Sequence, residues 1–232
     1  MIASDSVLRR LPRGLNRKQV LFLDGARLAI EMADSAITRL RNTLLLLATE
    51  PQKTQNRRTK ILDAVQDAWS IVDSVHRLRS LLQHMPGMKQ KSPSLQLFYR
   101  GTTDIESLRN CVQHLDRAID DLVTLGAPVW GTLSWLTVID PSAKIVRCCT
   151  IVAGTIFDAT HPILNPAGKA TISGIDEITL SAGGTTIRLN EVMSRIPLAI
   201  RIIETSLKKQ FAKLPRHAAD MLVFVDMQFT EC

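Results

Sequence analysis

The chain has 232 residues, of which 45% are hydrophobic but only 4% aromatic, and a formal net charge of +7 at pH 7. That length and composition suit one large or two small domains around a core of Leu, Ile, Val and Ala, and no apolar run approaches the roughly 20 residues that cross a bilayer. The charge is uneven: residues 1–125 hold 19 Lys and Arg against 13 Asp and Glu, and the remainder 10 against 9, so a polyanionic partner would be met by the first half.

Arg9, Arg10 and Arg13 are not followed by an apolar stretch with a small-residue cleavage site, so no secretion signal is read and a cytoplasmic location is expected. Cys111, Cys148, Cys149 and Cys232 lack the spacing of metal ligands. Free thiols follow as the plain expectation, with neither a metal nor a cofactor.

Three long helices are predicted over residues 14–125. The first runs from about Asn16 to Ala48, where Leu23, Ala26, Ile30, Ala33, Ile37, Leu40 and Leu44 form a near-heptad stripe. The second runs from about Asn56 to Gln83, with Ile61, Val65, Ala68, Val72, Val75 and Leu82 on one side, and stops at Pro86-Gly87. A basic loop with Lys89, Lys91 and Arg100 follows. The third helix starts at Thr103, which with Glu106 has the form of a capping box. It then repeats Ile105, Leu108, Val112, Leu115, Ile119 and Leu122 up to Gly126-Ala127-Pro128.

After Pro128 the period shortens. Val129–Ile139 and Ile145–Phe157 flank Asp140-Pro141-Ser142 as one β-hairpin, and Glu177–Ser181 and Thr185–Leu189 flank Ala182-Gly183-Gly184 as a second. Glu191–Leu214 reads as a helix, kinked or started at Pro197, and Leu222–Phe229 as a last strand. Parity sends Trp130 and Trp135 to opposite faces of one strand, and likewise Cys148 and Cys149.

The residues with most chemistry are Arg109-Asn110-Cys111-Val112-Gln113-His114. With Ile105 at zero on a wheel of about 100° per residue, Arg109 falls near 40°, Asn110 near 140° and His114 near 180°. All three lie outside the apolar stripe, and Asn110 and His114 share a face. An imidazole titrates near neutral pH and moves protons. A guanidinium offers a planar fork to phosphate oxygens, and an amide can hold either by hydrogen bonding. The plain alternative is a solvated helix face.

Arg79 and His84 repeat the spacing with Ser80 in place of Asn. Because His84 sits in the last turn, that copy reads chiefly as positive charge answering the helix dipole, with Arg79 in a minor RNA-binding role. Asp73 and His76, at i and i+3, form a possible acid–base or metal pair but read more plainly as a surface ion pair. His161 and His217 sit in predicted loops, and Gly183-Gly184 is a turn and not a phosphate loop.

The three helices, with Arg109-Asn110-x3-His114 on the third after an intervening loop, resemble the HEPN superfamily of small helical proteins, many of them metal-independent ribonucleases. The resemblance covers about the first 125 residues. It implies a helical bundle, a homodimer formed through the motif helices, and cleavage of RNA by Arg109 and His114 with Asn110 in support. The basic residues Arg100, Arg79, Lys89 and Lys91 would contact RNA. Members often serve as toxins of toxin–antitoxin pairs or as effectors against phage, which implies a cognate antitoxin or regulatory protein as a partner; others are inactive binding modules. The second half departs from the pattern, because strands follow the third helix. The chain therefore reads as α+β: a HEPN-like bundle over 1–125, then an α+β segment over 126–232, with β-hairpins and a C-terminal helix packed on the bundle and no membrane contact.

Overall fold

A computed structural model describes residues 1–50, 56–140, 142, 145–155, 175–211 and 213–225. The fold is α+β. Two long helices dominate it, α1 (Arg17–Thr49) and α2 (Arg57–His84). Asn16 starts α1: its side chain accepts from the Gln19 N–H at 2.9 Å, and the Gln19 side chain accepts from the Asn16 N–H at 3.1 Å, a reciprocal cap. The two helices run antiparallel, since Gly25 meets Leu81, Arg39 meets Asp67, and Glu50 meets Lys60. Ala26, Ala33, Ala64 and Ala68 are fully buried between them, so the axes approach closely while Ile30, Leu40, Ile71 and Leu78 fill the flanks.

The stretch read as a basic loop contains a helix, α3 (Pro93–Arg100). Pro93 stands in its first turn, where a missing N–H costs nothing, and Leu95 and Phe98 anchor it as fully buried side chains. The third predicted helix is two: α4 (Asp104–Gln113) and α5 (Leu115–Leu125). They meet at His114, whose φ of −114° and ψ of 42° break the helical path. The predicted capping box is also absent. Thr103 is itself helical and its hydroxyl donates to the carbonyls of Tyr99 and Arg100, continuing the turn out of α3 instead of starting a helix. Of the predicted stripe, Ile105 and Leu108 are fully buried on α4, while on α5 only Leu122 is buried and Ile119 is 40% exposed.

Four antiparallel strands follow: β1 (Thr132–Asp140), β2 (Ile145–Val152), β3 (Ile175–Ala182) and β4 (Thr185–Arg188), in the order β2-β1-β3-β4. Both predicted hairpins are present, β1–β2 and β3–β4. Gly131, just before β1, has a φ of +76°, and a Cβ there would lie 2.1 Å from the Ser181 carbonyl oxygen; only glycine fits. Trp135 is buried while Trp130, in the turn ahead of the strand, is 46% exposed. Cys148 is exposed and Cys149 half-buried.

Helix α6 (Leu189–Phe211) continues on both sides of Pro197, so it does not start there. It crosses the sheet at β3 and lies along α3. One continuous apolar core runs from Ile2, Leu8 and the α1–α2 pair through the sheet to Ile203 and Leu207 on α6. The first and last described stretches meet in a short bridge between Pro12 and Arg216. No strand forms over Leu222–Val225, whose side chains are 66–81% exposed; alternating apolar residues there find no neighbouring strand to bury them. Residues 226–229 of that predicted strand, His161 and Cys232 lie outside the described residues. None of the described helices is long and apolar enough to cross a membrane.

Candidate functional site

The predicted arc of Arg109, Asn110 and His114 is split. Arg109 is half-buried because α4 packs on α2, and near 40° on the wheel it borders the buried stripe. Its Nε donates to Asp73 Oδ1 on α2 at 3.2 Å. Asp73 Oδ2 accepts from Arg77 Nε at 2.7 Å, one turn further along, so a single carboxylate is held between two guanidinium groups. Burial pushes the Asp73 carboxyl up, but the bonds from Arg77 and Arg109 outweigh it and hold the group below the usual carboxylate range.

Asn110 and His114 face solvent. The His114 backbone N–H still donates to the Asn110 carbonyl at 3.1 Å. Among the described residues, however, no side-chain hydrogen bond or ion pair joins His114 to Arg109 or Asn110.

The imidazole that shares the environment of Arg109 is His76, on the same face of α2 as Asp73. Partial burial pushes His76 below its ordinary value, and the positive charge of Arg109 adds to this; Glu106 and Asp73 oppose it, and Arg79 assists. At neutral pH His76 is therefore an uncharged imidazole among an arginine and two carboxylates, a group able to accept a proton. The Asp73–His76 spacing was legible in the sequence, but its simpler reading as a surface ion pair does not hold. Asp73 spends its oxygens on Arg77 and Arg109, and only the fold brings Arg109, 36 residues away, to the pair.

Arg79, expected among the RNA-binding residues, is buried and has a structural part. It is 7% exposed, and one guanidinium nitrogen donates to the Tyr99 carbonyl and to the Thr102 hydroxyl, each at 2.6 Å. The guanidinium carbon lies 5.7 Å from the Tyr99 ring centre. Arg79 thereby ties α2 to the α3–α4 turn. Burial lowers its own pKa, and burial raises the Tyr99 phenol to about 12, with Arg79 opposing the rise. His84 answers the end of α2 locally, its Nδ1 lying 2.8 Å from the Ser80 carbonyl.

Lys89, Lys91 and Arg100 are exposed and form no ion pair among the described residues. They lie along the Met85–Arg100 stretch, with the Gly101 end of α3 beside Arg195 of α6. His217 holds a backbone position, its N–H donating to the Leu11 carbonyl at 2.8 Å. Among the described residues no cluster of three or more His, Cys, Asp and Glu side chains could hold a metal ion. Gly183 bears out the turn: with a φ of +53° it admits Cys111 Sγ where a Cβ would stand at 2.3 Å.

Comparison with family models, with curated proteins and with solved structures gives no match.

Proposed function

We propose that the α2–α4 face is an RNA site at which Arg109 contacts phosphate and a neutral histidine takes the proton of the ribose 2′-hydroxyl in a metal-free cleavage. The 2′-oxygen attacks the adjacent phosphate while the bond to the next nucleotide's 5′-oxygen breaks, and that oxygen takes up a proton. The observation that carries this reading is the bond from Arg109 on α4 to Asp73 on α2, which sets the guanidinium beside the helix turn that carries His76. Supporting it are the excess of positive charge in residues 1–125 and the exposed Lys89, Lys91 and Arg100, which form no ion pair among the described residues. Arg109 reaches an incoming phosphate by exchanging Asp73 for a phosphate oxygen; Arg77 keeps the carboxylate compensated when it does so. His76 then replaces His114 as the first candidate for the base, and the exposed His114 is the candidate for the second proton-transfer group. On this reading the protein acts as a small endoribonuclease of the toxin or defence type.

A second reading is favoured by one specific observation. Arg109 and Arg77 share the single Asp73 carboxylate, a held pair with a net charge of +1 that suits a binding module for RNA or an acidic protein without cutting it. Cleavage of a labelled single-stranded RNA in EDTA separates the two. The proposal expects activity in the wild type, loss in His76→Ala and Arg109→Ala, and partial loss in His114→Ala. Binding without cleavage by the wild type would establish the module instead. Cleavage that persists in both His76→Ala and Arg109→Ala would remove the site.

A further inference from the structure

Between the end of α1, the start of α2 and one face of the β1–β2 hairpin lies an open cleft of about 860 Å³, within the size range of sites that hold small organic molecules. Its floor follows from strand alternation. Trp135 pairs with Cys149 and Thr137 with Arg147 across the two strands, so these four side chains stand on one face of the sheet. Arg147 reaches the end of α1, where its guanidinium donates to the Ala48 carbonyl. Arg57, the first residue of α2, stands in the wall of the same cleft.

The charged side chains of that wall are Glu50, Arg57 and Arg147. Glu50 is held by Lys60, and neither arginine forms an ion pair among the described residues, so two guanidinium charges are left without a carboxylate. The start of α2 adds to them. The Asn56 side chain makes no capping hydrogen bond and the first turn contains no acid, so no side chain there answers the positive end of the helix dipole. A separate observation comes from the floor. Trp135 is only 2% exposed, yet its indole N–H has no hydrogen-bond partner, and a buried indole N–H ordinarily finds one. The hydroxyl of Thr137, on the same face, is likewise buried without a partner. The Cys149 thiol senses both arginines: burial pushes it up, Arg147 opposes the rise, Cys148 adds to it, and Arg57 opposes it. Leu47, Ile61, Ile151 and Val152 make the rest of the lining apolar.

We infer that this cleft binds a small organic phosphate monoester, its phosphate held by Arg57 and Arg147 and its apolar body resting on Ile61 and Ile151. The charge selects the class: a phosphate monoester carries nearly two negative charges near neutral pH, matching two guanidiniums, whereas a carboxylate leaves one of them uncompensated. Arg147 keeps donors to spare for the phosphate while one nitrogen remains on Ala48. An acceptor oxygen on the ligand gives the Trp135 N–H the partner that the fold does not supply. The cleft lies about 24 Å along α2 from Asp73, and the inference does not rest on the RNA reading.

The test uses the full chain with phenyl phosphate as the probe. Isothermal titration calorimetry near neutral pH is expected to show one site per chain. Phenol and inorganic phosphate should each bind at least tenfold more weakly, since each supplies only part of the contacts. Arg57→Gln and Arg147→Gln should each weaken phenyl phosphate at least tenfold through loss of a charge-assisted pair. A measurement on the wild type, independent of any variant's folding, localises the probe. Alkylation by iodoacetamide, read by mass spectrometry, should slow at Cys149 when phenyl phosphate is present and remain unchanged at the exposed Cys148. Absence of binding at about 5 mM probe, beyond the range of weak millimolar affinity, would overturn the inference. So would equal affinity for phenol, equal protection of the two cysteines, or unchanged binding in both glutamine variants. Arg109→Ala should bind phenyl phosphate as the wild type does; loss there would move the anion to the α2–α4 face and overturn this site. Failure of RNA cleavage with phenyl phosphate binding intact would remove the RNA reading and leave this one standing.

Discussion

Replacing Asp73 with Asn removes the charge that joins α2 to Arg109 while keeping the side chain's shape. Two ion pairs are weakened, at 2.7 Å to Arg77 and 3.2 Å to Arg109. The Asp73 side chain is 36% exposed, so solvent screens both, and each is worth about 0.5 kcal/mol, for a combined loss of about 1 kcal/mol. For a chain of this size that lowers Tm by about 3 °C.

The pH dependence fixes the sign. Asp73 has a folded pKa below its ordinary one, so its stabilisation is present above the unfolded value of about 3.9 and is lost as pH falls through the lower folded value. The Tm gap between wild type and Asp73→Asn should be flat from about pH 8 to pH 5 and close below about pH 4. At the same time Arg109 and Arg77 are released. Binding of a short single-stranded RNA, read by fluorescence anisotropy against salt, should tighten and steepen by about 0.7 in the log–log slope for each added phosphate contact. A gap that persists in strong acid would show that Asp73 acts by shape and not by charge. Weaker RNA binding in the variant would show that Arg109 is not a phosphate contact waiting to be released.

Other outcomes follow from the same contacts. Arg79→Ala should cost about 3 kcal/mol by leaving the Tyr99 carbonyl and Thr102 hydroxyl short of a charged donor, and should leave the salt slope of RNA binding unchanged; chemical denaturation and anisotropy read the two effects separately. Tyr99 is the chain's single tyrosine, so an alkaline ultraviolet titration should show one phenol with a midpoint of about 12 in the native protein and about 10 in urea. Stability from that group is full below pH 10 and declines as pH rises towards the native midpoint. Phe98→Ala should cost about 3–5 kcal/mol by emptying the site that anchors α3, measured by thermal unfolding. Gly131→Ala forces a Cβ against the Ser181 carbonyl at a positive φ and should unfold the sheet end, seen as lost near-ultraviolet dichroism of Trp130 and Trp135.

The elements whose order could be read from the sequence are those with a strong period or punctuation. The heptad-like stripe from Leu23 to Leu44 and the Pro86-Gly87 stop define α1 and α2, and the turn residues Asp140 and Gly183-Gly184 define the hairpins. What escaped is tertiary. Nothing local reveals that His114 breaks a helix whose apolar repeat continues through it, because the break arises where α4 stays on α2 while most of α5's stripe stays exposed. Helix α3 escaped because its eight residues bury only Leu95 and Phe98, too few to show a period. The site was half legible: Arg109 and the Asp73–His76 spacing stand in the sequence, but their meeting depends on how α4 crosses α2. The enclosure of Arg79 by Tyr99 and Thr102 was not legible, because its partners come from the α3–α4 turn, 20 or more residues further along the chain.

The most direct measurement of the central claim is a nuclear magnetic resonance titration with a short RNA whose 2′-hydroxyls are replaced by hydrogen, so that binding occurs without cleavage. The account predicts that the Nε–H of Arg109 and the ring resonances of His76 shift together and saturate at one RNA per protomer, and that both shifts disappear in Arg109→Ala. Shifts confined to Lys89, Lys91 and Arg100, with Arg109 still bonded to Asp73 at saturation, would contradict it.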